Sequence, residues 1–113
     1  MLATAEIAAC LEAYDAQQAP ARETERAAVK QVLDTLKKAA PGRSVELRIP
    51  PYAAVQIVEG VKHRRGTPSA VVEMSARALL ELAVGNLEWD AAIRNATVTA
   101  SGERSNLSHL FPC

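Results

Sequence analysis

Between Ser44 and Met74 three short runs rich in Val and Ile follow one another, SVELRIP, PYAAVQIVEG and AVVEM, with the basic segment VKHRRGTPS between the second and the third. In the first run Val45, Leu47 and Ile49 alternate with Ser44, Glu46 and Arg48. A period of two puts the three apolar side chains on one face of a strand, and that face must be covered. The flanking residues read as helices, so the stretch predicts a small α+β domain with a helical layer over a sheet. Pro50 and Pro51 have no N–H to donate, so they interrupt any ladder and join the first two strands by a stiff turn. Beyond them Ala53, Val55 and Ile57 face one way and Ala54, Gln56 and Val58 the other.

The helices have clear limits. Thr4 is a cap for a first helix, on which Ile7, Cys10, Leu11 and Tyr14 recur at spacings of three and four, and Pro20 follows its end. A second helix is expected from about Ala21 to Ala40. Val29, Val32, Leu33 and Leu36 form its apolar stripe, acids stand near its start, and lysines precede the Pro41-Gly42 stop. Ser75 caps a third helix carrying Leu79, Leu80, Leu82 and Ala83, and Gly85 marks its end. A short fourth helix has Trp89, Ala92 and Ile93 on one apolar face. Ala96 to Ala100 reads as a last strand, and Ser105 or Asn106 caps a closing turn with Leu107, Leu110 and Phe111.

At 113 residues the chain has the length of one domain, able to bury a core without metals or disulfides. We expect a single domain over 1–113, with an N-terminal helix in 1–20. Aromatic residues make up 4%, too few for a stacking platform on single-stranded nucleic acid. Lys+Arg and Asp+Glu are equal at 13 each, so no overall field draws the chain to nucleic acid or an anionic membrane. Cys10 and Cys113 have no ligand spacing and read as free thiols. The opening MLATAEIAACLEAY has no basic leader and carries Glu6 and Glu12 within its apolar stretch, which argues against a signal peptide or membrane insertion and for a cytoplasmic protein.

Few groups converge for chemistry. His63 and His109 are far apart and lack a partner at metal-site spacing. GxSxG, P-loop and GxGxxG patterns are absent from the sequence. Ser105 and His109 stand four apart, but no orienting acid or oxyanion hole is indicated beside them. The expectation is no catalytic residue, no metal and no cofactor. The one concentrated charge is Lys62-His63-Arg64-Arg65 before Gly66; Lys62, Arg64 and Arg65 suit an anion or headgroup, and equally a solvated loop that keeps an edge strand from aggregating.

The run VVEMSARALLELAVGNLEWDAAIRNATVTASGERSNLSHLF resembles the second half of sterol carrier protein 2 (SCP-2)-like domains. The matching parts are the strand Val71 to Met74, the helix Leu79 to Leu87 with Gly85, the short helix Trp89 to Arg94, the strand Thr97 to Gly102 and the closing Leu107 to Phe111. APGRSVELRIPPYAAVQIVEG and HRRGTPSAVVEM are similar to a bacterial, mainly actinobacterial, branch of sterol carrier family proteins; the resemblance covers Ala21 to Phe111. It implies an SCP-2-like α+β fold with a four- to five-stranded, mostly antiparallel sheet and helices packed on one face. Four strands can be counted, and Val61 to Arg65 is the only room for a fifth. The resemblance further implies a non-enzymatic protein holding a fatty acyl, acyl-CoA or sterol-like molecule in a cleft between the layers. Val55, Ile57, Val72, Leu79, Leu82, Trp89 and Ile93 are the expected lining, although each is also a normal core residue. The alternative is an interaction or homodimerisation module whose core is filled by its own side chains.

Overall fold

The structure is a computed structural model of the chain and is described over residues 2–60 and 70–113. In chain order it contains α1 (Ala5–Asp15), α2 (Arg22–Ala39), β1 (Val45–Ile49), β2 (Ala53–Ile57), β3 (Ala70–Met74), α3 (Ala76–Val84), α4 (Trp89–Arg94), β4 (Val98–Ser101) and a short 3₁₀ turn, Ser108–Leu110. The only room the sequence leaves for a fifth strand, 61–65, lies outside the described residues.

The strands form one four-stranded sheet in the order β2-β1-β3-β4. β1 pairs antiparallel with β2 and β3 antiparallel with β4, while β1 and β3 run parallel. Tyr52 donates its N–H to the Ile49 carbonyl at 2.8 Å across the two prolines, so β1 and β2 are joined by the tight turn expected there. The register sets Val45, Leu47 and Ile49 opposite Ile57, Val55 and Ala53, and sets Val45 and Leu47 beside Ala70 and Val72. Val72 and Met74 in turn face Ala100 and Val98. All these positions therefore share one inner face, which carries the sheet's buried residues. On the other face Arg48, Gln56, Glu73, Thr99 and Ser101 are exposed, and Arg48 pairs with Glu46 at 2.5 Å.

The helical layer lies on the inner face. α2 contributes Val29, Val32, Leu33 and Leu36, and α1 contributes Ile7, Cys10 and Tyr14. α3 packs against both and buries Leu79, Leu80, Leu82 and Ala83, so it is enclosed on more than one side. Its limits follow from the caps: the Ser75 hydroxyl accepts the Ala78 N–H at 3.1 Å, and Gly85 takes the left-handed conformation at φ 84° that closes the helix.

Two expectations change at the C-terminal end. β4 starts at Val98 instead of Ala96, because Ala96 adopts a left-handed φ of 61° and the Asn95 side chain accepts the Thr97 N–H at 3.1 Å, which makes 95–97 a turn. α4 does bury Trp89 and Ala92, but Ile93 is turned outward and is 39% exposed.

Candidate ligand groove

α4 packs at the β4 edge of the sheet. Val98 is buried beneath it, yet Ala100, at an inner-face position in register with the fully buried Val72, is exposed. Gly102 allows the chain to turn back at this point. Its φ is 90°, and a Cβ on it would stand 2.8 Å from the Ala70 Cα, so only glycine fits. The returning segment is held by Ser105 Oγ, which donates to the Gly102 carbonyl at 2.8 Å, by Asn106 Oδ1, which accepts the Ser108 N–H at 3.0 Å, and by the fully buried Leu107.

An open groove of about 430 Å³ results, lined by Trp89, Asp90, Ile93, Arg94, Ala100, Ser105 and Asn106. Its size lies within the range of small-molecule sites, roughly 300–1,000 Å³. Ile93 and Ala100 present apolar surface to it. Trp89 is 7% exposed and stacks on Phe111, with ring centroids 6.2 Å apart and planes 12° from parallel. A second depression of about 350 Å³ lies between Gly85, Leu87, Glu88 and the Phe111-Pro112 tail. Trp89 and Asp90 border both.

Of the expected lining residues, Trp89 and Ile93 meet in this groove. Val72 lies one strand away from Ala100, fully buried. Ile57, Leu79 and Leu82 are also fully buried, while Val55 is half-buried on β2, the strand at the opposite edge from β4. The groove therefore does not unite the seven. Lys62, Arg64 and Arg65 lie outside the described residues. Ser105 precedes the 3₁₀ turn that holds the exposed His109, so their four-residue spacing does not put them on one helix face. Sequence reasoning misses Ala100, Arg94 and Asn106 as groove residues and considers Ser105 only beside His109. Its available clue was the last-strand alternation, which sets Val98 and Ala100 on the same face.

A second polar arrangement lies at the other end of the molecule. The Glu25 carboxylate on α2 accepts from both tyrosines: from Tyr14 on α1 at one oxygen, and from Tyr52, just after the prolines, at the other at 2.7 Å. Arg77 stands over the Tyr14 ring at 5.3 Å and Arg26 over the Tyr52 ring at 6.0 Å. Burial pushes the Tyr14 phenol pKa up, and the bond to Glu25 pushes it further. For Tyr52 the bond to Glu25 is the main cause of an upward shift. Burial also raises the Cys10 thiol, with the Glu25 charge adding to it. Glu25 has both oxygens occupied by protein donors, so the cluster fastens α1 and the β1–β2 turn to α2.

A helical layer on one face of a mostly antiparallel sheet, ending in an open groove beside the last strand, fits an SCP-2-like α+β domain. The family described as bacterial SCP ortholog matches residues 21–113, and the chain belongs to it. The match begins where the sequence resemblance begins and leaves out α1, although α1 shares the same hydrophobic core. No curated protein matches the chain. Among the described residues no helix is long and apolar enough to cross a membrane.

Proposed function

We propose that the protein binds one apolar small molecule of fatty acyl, acyl-CoA or sterol-like type and carries it without chemical change, with the groove over β4 as its point of entry. Family membership supports carriage of a lipid or another apolar ligand. The observation that supports this location is the exposure of Ala100 and Ile93: an inner-face strand position and the large aliphatic side chain above it both lack cover. A ligand chain laid there would cover apolar surface, at about 25 cal/mol per Å² removed from water. Trp89 borders the groove and is the sole tryptophan, so it reports occupancy directly. Titrating delipidated protein with fatty acids, acyl-CoAs and sterols should shift or quench its emission saturably. Flat titrations with all three would refute carriage.

The completely buried Ile57, Val72, Leu79 and Leu82 favour a second reading, a filled domain that acts as an interaction or homodimerisation module. Native mass spectrometry of protein purified from cells separates the two. Co-purifying lipid on a monomer supports the carrier, and a clean dimer mass without lipid supports the module.

A further inference from the structure

β4 stands at one edge of the sheet, and that edge is unguarded. Thr97 to Ser101 reads TVTAS, without the charges or prolines that keep an edge strand from pairing with another chain. Alternate residues of an antiparallel strand turn their N–H and C=O away from the neighbouring strand. On Val98–Ser101 no main-chain group bonds to a described residue outside the sheet. Beside this edge is Ile93, the one large apolar side chain exposed among the described residues, with the exposed Ala100 in the same groove. Asp90 and Arg94 line that groove as neighbours one turn apart on α4, and neither forms an ion pair with a described residue.

We propose that the β4 edge and this groove form the seam of a homodimer, in which β4 of a second copy pairs antiparallel with β4 and joins the two sheets into one. This rests on the interaction-module reading above and names its partner and its surface. A two-fold axis normal to the sheet keeps both helical layers on the same side, so the two grooves meet and the apolar surface at Ile93 and Ala100 of each copy is covered. With Thr99 on the axis, Val98 faces Ala100 of the second copy on the inner side. Thr99 meets its own equivalent on the outer side, where a neutral hydroxyl pair is favourable. The same axis reverses the direction of α4, which sets Asp90 of one copy toward Arg94 of the second copy, and the reverse. An unpaired acid and base one turn apart are thus self-complementary across the seam. A strand of four residues buries little, so the contact belongs with transient interfaces of less than about 1,200 Å² and forms at high protein concentration. The seam covers the groove, so a ligand laid over Ala100 competes with it.

The test is analytical ultracentrifugation of the full chain, delipidated, from about 10 µM to 1 mM. Wild-type protein should pass from monomer to dimer as concentration rises, and less readily at high salt. Asp90→Arg and Arg94→Asp should each weaken self-association about tenfold or more, because each sets like charges against one another across the seam. An equimolar mixture of the two variants should associate at least as tightly as wild type, since only the mixed pair restores opposite charges at both contacts. Coincident melting curves would show that the variants fold alike; if a charge variant fails to fold, Ile93→Ser, which leaves the charges alone, should still weaken the wild-type dimer. A dimer that none of these substitutions weakens would overturn the seam and leave the module reading standing. Weakening by both charge variants without recovery in their mixture would also overturn the seam, as it would break the two-fold pairing of Asp90 with Arg94. A monomer throughout the range would overturn both the seam and the homodimer.

Discussion

Leu82 illustrates how one side chain commits to the core. It lies on α3, the helix flanked by α1 and α2, and is fully buried. Truncating a buried leucine costs about 2–5 kcal/mol, against roughly 5–15 kcal/mol for a whole domain. Leu82→Ala should therefore lower the melting temperature clearly, and an unchanged melting curve would contradict α3 as the centre of the core. Trp89 has the same commitment on one side only. Its 7% exposure and its stacking on Phe111 imply blue-shifted emission in the free protein, measurable in a single spectrum. Emission at the wavelength of a fully hydrated indole would mean that α4 does not pack as described.

Between elements, the Tyr14–Glu25–Tyr52 cluster joins three pieces of chain by one carboxylate. Hydrogen bonds to charged groups contribute about 1.5–3 kcal/mol, so Tyr14→Phe should destabilise by that order in denaturant melts. Its pH dependence has a definite sign. The folded pKa of Tyr14 is raised, so its contribution is complete below the ordinary phenol value of about 10 and is lost as pH rises through the folded value. The stability gap between wild type and Tyr14→Phe should be constant from about pH 7 to 9 and narrow above about pH 10. A gap that stayed constant through that upper range would show that the phenol is not held protonated by the fold. Neither tyrosine was singled out for this role in the sequence, because the partners are separated by 11 and 27 residues and no local period connects them.

For the molecule as a whole, the remaining electrostatic question is the basic segment between Gly60 and Ala70. If Arg64 and Arg65 form a solvated anion site, replacing both with Ser should weaken acyl-CoA or fatty acid binding and leave the melting temperature near wild type, since solvated charges contribute little to folding. Equal loss of neutral and anionic ligands in the same titrations would exclude an electrostatic role.

The local pieces are legible in the linear chain. Alternation at Val45, Leu47 and Ile49, the Pro50-Pro51 break, the Ser75 cap and the Gly85 stop each act through neighbours a few residues away, so their signals survive in the linear chain. Even the one-sided layering followed, because a strand with a single apolar face must be covered on that face. What lies across the layers comes from the packing of distant segments: the parallel seam between β1 and β3, the meeting of Glu25 with two tyrosines, and the extent of the helical cover. Ile93 carries the last of these. Its spacing from Trp89 and Ala92 is that of a buried face, but burial also requires a partner against it, and Ile93 stands 39% exposed beside the groove. A local pattern states which side of a helix is apolar; only the packing of distant segments decides whether anything lies against it.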